Sequence, residues 1–396
     1  MPSEPSFPPL TVRAIRSTPV EVPLNFVLGT SRGTLSRASL LLVDVETEQG
    51  IIGRSYMFCH MAAVARAVAN LLGEIEALTK GAPLDPPALF ATLNERFALI
   101  GVQGVVRMAI AAFDVAAWDA AAIAAGVPLV TLLGGKPGPV LAYNSCGLGL
   151  MADKGALAAE AGRLLERGFG AVKLRLGYPD VAEDIAAVRA VRGRIGSGAR
   201  LMVDYNQALS ADEALKRGRA VDDENIYWLE EPIRHDDYAG SAMLARELKT
   251  PIQIGENFSL PVAMEFALAQ KAADYVMPDL ERIGGVTGWR QAAKIAAAQR
   301  VDMSSHLFPE VSAHLLAVTP TCHYLEYVDW ADVLLEEPLE VRDGHAIVPT
   351  GQATAWRGTR PPSRAIGSIE AWRQDQEVRH AGINFCRAGP APCHTG

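Results

Sequence analysis

Apolar and polar positions alternate along residues 11–24 and again along 38–58, where the run SLLLVDVETEQGIIGRSYMF is interrupted by a Glu-Gln-Gly turn. This pattern predicts strands, with residues 38–58 folded as a hairpin. The apolar spacing then lengthens to the helical period over 61–79, 87–99 and the Ala-rich stretch 103–125. Residues 1–135 therefore read as an α+β block of strands followed by helices. The segment LLGGKPGPV at 132–140 is a loop and the expected domain boundary. Its Gly-Gly-Lys is no phosphate loop, because the earlier Gly and the following Ser or Thr are missing.

Beyond residue 140 the texture changes to short apolar runs separated by amphipathic helical stretches such as 152–168, 180–194, 261–272 and 286–299. The runs are VLAYNSC (140–146), AVKLRLG (171–177), LMVDYNQ (201–207), IYWLEEP (226–232), PIQIGEN (251–257), DYVMPDL (274–280), VDMSSHL (301–307) and HYLEY (323–327). Eight strand-then-helix units predict a closed parallel (β/α)8 barrel over residues 136–340, with its active site at the C-terminal ends of the strands. Residues 341–396 form a C-terminal segment whose last two dozen, ending CRAGPAPCHTG, are expected to be extended or disordered.

Composition narrows the function classes. With 49% hydrophobic and 21% charged residues, a chain of this length can bury a large core. No run approaches the roughly 20 uninterrupted apolar residues of a membrane span, since Arg107, Asp114 and Asp119 break the Ala-rich stretch. The N-terminus has neither the basic nor the apolar region of a secretory signal, so no membrane association and a cytoplasmic location are expected. The five cysteines are scattered and lack a Cys-x-x-Cys pair, which argues against a disulfide framework or a structural zinc site. A formal net charge of −8 argues against nucleic acid as a partner.

The informative polar residues are those at or near the strand ends: Lys173, Arg175, Asp204, Asn206, Glu230, Glu256, Asp279, His306 and Glu326. Any one could be a solvated loop charge. A barrel, however, would converge all of them. Asp204, Glu230 and Glu256 supply three hard oxygen donors of the kind Mg²⁺ takes. Alternation places Glu231 on the opposite side from Glu230, outside a metal shell, and turns Lys173 and Arg175 inward, where two cations suit a substrate carboxylate. His306 and Asp279 end adjacent strands, the arrangement in which a carboxylate orients a histidine base. Glu326, kept protonated by neighbouring carboxylates, could donate a hydrogen bond to an oxyanion.

The segments KLRLGYP, MVDYNQ, WLEEP, IGEN, MPDLERIGGVTGW and MSSHLFPEVSAHLLAVTPTCHYLE closely resemble the mandelate racemase subgroup of the enolase superfamily, from about Val20 to Trp356. The resemblance implies an α+β capping domain over a modified TIM-like barrel, with the chain after the last strand returning to the cap. It implies that Mg²⁺ is held by Asp204, Glu230 and Glu256, that His306 and Asp279 form the base dyad, that Glu326 is the acid, and that Lys173 and Ser145 contact the substrate carboxylate. It also implies a small 2-hydroxy carboxylate substrate and a homo-oligomer. The loop NFVLGTSRGT at 25–34 matches the specificity loop and carries Ser31 and Arg32; Arg32, Asn206 and Tyr56 complete the expected substrate contacts. One position departs: the family's second lysine base is Arg175 here, and a guanidinium is a very poor proton acceptor. Stereospecific dehydration of an acid sugar with His306 as sole base is thus the favoured reading. Racemisation or epimerisation of a 2-hydroxy acid is the alternative, and a non-catalytic barrel protein a third.

Overall fold

In the computed structural model, which describes residues 7–335 and 337–350, the chain opens with an antiparallel sheet of Val12–Thr30 (β1), Gly33–Thr47 (β2) and Ile52–Phe58 (β3) in the order β1-β2-β3. The stretch 25–34 is not a loop. β1 shifts register between Pro23 and Leu28 and then continues to Thr30, so β1 and β2 form a long hairpin with a tight tip. The middle of β2 is buried on both faces: Leu41, Val43 and Val45 face the cap helices, whereas Ala38 and Leu40 belong to the core shared with the barrel. Cover on both sides explains why this strand reads as a near-continuous apolar run.

The cap helices are Ala62–Thr79 (α1), Pro86–Arg96 (α2), Gly104–Ala125 (α3) and Leu129–Leu132 (α4). α2 is shorter than the sequence pattern suggested, because residues 98–100 tighten into a 3₁₀ turn. α3 has the length and apolarity of a membrane span, yet it is packed inside the fold. Its polar residues are joints. Asp114 accepts hydrogen bonds from the Thr287 backbone N–H (2.9 Å) and Oγ1 (2.5 Å), Asp119 accepts from Arg54 N (2.9 Å), and Arg107 donates to Asn94 Oδ1 (2.6 Å).

Eight parallel strands follow: Pro139–Asn144 (β4), Ala171–Arg175 (β5), Arg200–Asp204 (β6), Ile226–Glu230 (β7), Ile252–Ile254 (β8), Tyr275–Val276 (β9), Asp302–Met303 (β10) and Leu325–Tyr327 (β11). They pair in sequence. The Met303–Cys322 bridge and the β11–β4 pairing close the ring. Between the strands run Lys154–Leu165 (α5), Val181–Ile195 (α6), Ala211–Val221 (α7), Tyr238–Glu247 (α8), Leu260–Ala269 (α9), Leu280–Ile283 (α10), Gly285–Gln299 (α11) and Pro309–Leu316 (α12). Val172, Leu174, Leu201, Val203 and Leu229 pack outward into the helix layer. Tyr143, Ala171, Met202, Trp228 and Tyr324 fill the barrel's lower interior, leaving the next inward layer, toward the C-terminal ends, to polar residues.

A final hairpin, Val341–Arg342 (β12) and His345–Ile347 (β13), pairs antiparallel with the first half of β4. This part of the C-terminal segment therefore joins the barrel rather than the cap, because the edge of β4 below its contact with β11 offers free backbone groups. The extended or disordered tail expected from the sequence lies outside the described residues.

Candidate active site

A cavity of about 430 Å³ opens at the C-terminal end of the barrel, roofed by the cap through Leu28, Thr30, Arg32, Leu35, Phe58 and His60. Its floor contains Lys173, Arg175, Asp204, Glu256, His306 and Glu326. Glu230 and Asp279 lie just beneath, each in direct contact with a floor residue.

Lys173 is 1% exposed and sits between carboxylates: it bonds Glu230 Oε1, meets Glu326 Oε1 at 2.7 Å and lies 3.7 Å from Asp204 Oδ2. Burial works against its charge, but Glu230 and Glu326 outweigh it and hold the ammonium protonated. Arg175, on the same face of β5, donates from Nη2 to Ser145 Oγ (3.0 Å). Its Nε and Nη1 are buried without hydrogen-bond partners, which leaves most of a guanidinium fork to receive an anion. Ser145 is fully buried and supports Arg175.

Asp204 and Glu230 are register partners at the ends of β6 and β7. Asn206 clamps Asp204, its backbone N–H to Oδ1 at 2.7 Å and its Nδ2 to Oδ2 at 2.9 Å. Burial, reinforced by neighbouring carboxylates, pushes the Asp204 carboxyl up and Glu230 up to about 8 despite Lys173. Glu256 follows β8 and lies 3.2 Å from His306 Nε2; there burial is outweighed by His306 and Arg282, and its carboxyl stays low. Among the described residues, no three carboxylate or imidazole groups already surround one point at ligand distance. The donor set nonetheless fits a hard divalent cation. Three oxygen donors from adjacent strand ends, two of them buried and pushed toward protonation, crowd negative charge that such an ion would relieve once they turn from Lys173 and His306.

Asp279 caps the short helix α10 through its Oδ1, which accepts from Glu281 N (2.8 Å) and Arg282 N (3.2 Å). Its Oδ2 accepts from His306 Nδ1 at 2.6 Å. With Nδ1 engaged, Nε2 is the nitrogen presented toward Glu256 and the cavity. Burial disfavours the imidazolium, yet Glu256, Asp279 and Glu326 prevail and raise His306 to about 9.

Three expectations require correction, and Arg32 stands where expected with two of its nitrogens already engaged. Glu326 is not held protonated: although burial opposes ionisation, Lys173, His306 and Arg175 keep its carboxyl well below the usual range, and its Oε2 accepts from Leu307 N at 2.9 Å. Tyr56 does not line the cavity; its hydroxyl donates to Glu310 Oε2 (2.7 Å) where cap meets barrel. Arg32 lines the cavity, but its Nε and Nη2 bond the carbonyls of Asn206 and Gln207. Glu231 is not turned away: with φ +37 it leaves the extended conformation on which alternation depends, and its buried carboxyl accepts from Gly255 N (2.9 Å) beside Glu256. The sequence reading missed His60, Arg282 and Trp330, all of which line the cavity. Arg282 stands three residues after Asp279, one helical turn on, a spacing that could have suggested it.

Residues 12–134 match the family described as mandelate racemase / muconate lactonizing enzyme, N-terminal domain, and residues 156–352 match the enolase C-terminal domain-like family. An L-talarate/galactarate dehydratase of Salmonella typhimurium is 33% identical over 317 residues, 78% of each chain. Among solved structures, an enolase from alpha proteobacterium bal199 with bound magnesium is 42% identical, with TM-score 0.85 over 87% of this chain and 96% of that one. A Bradyrhizobium enolase complexed with magnesium and mandelic acid is 36% identical, with TM-score 0.83 over 89% of this chain and 97% of that one.

Proposed function

Because the chain belongs to the mandelate racemase/muconate lactonizing enzyme family, we propose that it is a Mg²⁺-dependent enzyme that removes the α-proton of a 2-hydroxy carboxylate, most simply to dehydrate an acid sugar to a 2-keto-3-deoxy acid. The observation that carries this reading is the 2.6 Å His306–Asp279 contact, which presents Nε2 to the cavity in a site whose second β5 cation is an arginine. An α-proton next to a carboxylate is very weakly acidic, so the site must stabilise the enediolate as well as supply a base. Mg²⁺ held by Asp204, Glu230 and Glu256 would supply positive charge to the substrate oxygens.

The chain's own residues do the remainder. Arg175 Nε and Nη1, which make no hydrogen bond, take the substrate carboxylate, with Lys173 against the same Asp204 oxygen that Arg175 Nε approaches. His306 Nε2, whose hold on a proton would weaken once Glu256 turned from it to the cation, receives the α-proton while Asp279 stabilises the resulting imidazolium. Since the imidazole accepts a proton and a guanidinium does so very poorly, proton transfer is confined to the face that His306 meets. The imidazolium then returns its proton to the departing β-hydroxyl. A substrate anion that draws Lys173 from Glu326 raises the Glu326 carboxyl, which takes up a proton and becomes the hydrogen-bond donor for the enediolate.

Racemisation of an aryl 2-hydroxy acid is the second reading. It is favoured by the apolar wall of Leu28, Leu35, Phe58, Leu307 and Trp330, and by the mandelic acid in the Bradyrhizobium relative. Incubating the protein and Mg²⁺ with a panel of aldonic acids, aldaric acids and aryl 2-hydroxy acids separates the two. A 2-keto-3-deoxy product from an acid sugar, lost on chelation, is expected. Racemisation of the aryl acids with no dehydration of any sugar acid would overturn the dehydratase reading.

A further inference from the structure

The tip of the β1–β2 hairpin reaches across to the turn that follows β6. Ser31 Oγ donates to the carbonyl of Tyr205 (2.8 Å), Arg32 Nε to that of Asn206 (2.9 Å), and Arg32 Nη2 to that of Gln207. Three consecutive barrel carbonyls are thus held by two adjacent cap residues. Asn206 and Gln207 both lie in the left-handed region, at φ 47 and 62, which non-glycine residues rarely occupy without outside support. Support also comes from below, where Tyr205 N and Gln207 N donate to the carbonyls of Glu230 (3.1 Å) and Glu231 (2.7 Å).

This turn matters because of its other side. While the Asn206 carbonyl faces Arg32, the Asn206 backbone N–H and Nδ2 grip both oxygens of Asp204. A continuous hydrogen-bonded path therefore runs from an exposed cap arginine, through one strained residue, to a carboxylate at the centre of the site. The Arg32 fork is occupied by carbonyls, and among the described residues no carboxylate forms an ion pair with it. A planar guanidinium can bridge two successive carbonyls, whereas an ammonium is a single point donor.

We infer that Arg32 is a positioning residue: docking of the cap hairpin through Arg32 fixes the Asn206 turn, which orients Asp204 for the metal, so hairpin docking and Mg²⁺ binding strengthen each other. The inference rests on Asp204 being a metal ligand, as proposed above. Coupling of this kind is reciprocal, so it is visible from either end.

The test measures Mg²⁺ affinity calorimetrically, without substrate, for the wild-type protein, Arg32→Met and Arg32→Lys. Amide hydrogen exchange of residues 25–35 is followed with and without Mg²⁺. Arg32→Met should weaken Mg²⁺ binding about 10- to 100-fold, the range for groups that orient metal ligands, and Arg32→Lys should recover part of that loss. Mg²⁺ should slow exchange in the wild-type hairpin and leave the Arg32→Met hairpin unaffected. Wild-type Mg²⁺ affinity in both variants, with only KM raised, would make Arg32 a substrate contact and overturn the inference while leaving the metal reading intact. No Mg²⁺ binding by the wild-type protein would overturn both.

Discussion

Arg175 and His306 face the same cavity with opposite capacities. The imidazole, oriented by Asp279, can take and return a proton, whereas a guanidinium is a very poor proton acceptor. His306→Asn should therefore lower turnover by at least about 10²-fold, the lower range for a positioned general base. A steady-state rate near wild type in that variant would place the base elsewhere. Arg175→Lys keeps a positive charge beside Asp204 and restores a group whose pKa burial can depress. That variant should begin to exchange the α-proton of the enantiomer that the wild-type protein leaves untouched, as read by mass spectrometry in D₂O. Continued one-sided exchange would mean that reach, and not proton affinity, limits the second face.

Among the elements, the contact between β3 and α3 has little tolerance. A Cβ added to Gly53 would lie 2.0 Å from the Ala116 carbonyl oxygen and 2.5 Å from Ala120 N, both backbone atoms that cannot move alone. Gly53→Ala should destabilise the protein by about 1–3 kcal/mol or more, measured by denaturant unfolding. An unchanged midpoint would contradict this close packing. Period-two alternation oriented Lys173 and Arg175 correctly from the sequence, because both lie within an extended strand. It misled at Glu231, where the backbone turns left-handed, and at 25–34, where turn-forming residues obscured a hairpin that the cap requires to be long. Tyr56 was misplaced because the carboxylate its hydroxyl meets, Glu310, comes more than 250 residues later in the chain. The ionised state of Glu326 was illegible for a related reason: its partner Lys173 comes from a strand more than 150 residues earlier.

The whole molecule depends on the cap sitting on the barrel, and one pair across that junction is titratable. Burial raises Glu310 from 4.5 to about 7 despite the hydrogen bond it accepts from Tyr56. A carboxyl raised in the folded state adds stability that is complete below its unfolded value and is lost as pH rises through about 7. Glu310→Gln, which keeps an acceptor for Tyr56, should remove that loss. The variant should be more stable than wild type above pH 7, and the difference between the two should grow from pH 5 to pH 8 in denaturant titrations. Parallel pH profiles would show that Glu310 is not buried against the cap in this way.

One-sided, metal-dependent removal of an α-proton by His306 is the step on which the proposed function stands. It is tested most directly by ¹H NMR in D₂O, following the Cα–H signal of each enantiomer of a 2-hydroxy acid with the protein and Mg²⁺, with the protein and a chelator, and with His306→Asn. The signal should be lost for one enantiomer only, and for neither when the metal or the imidazole is removed. Exchange of both enantiomers at comparable rates, or exchange that survives chelation, would contradict it.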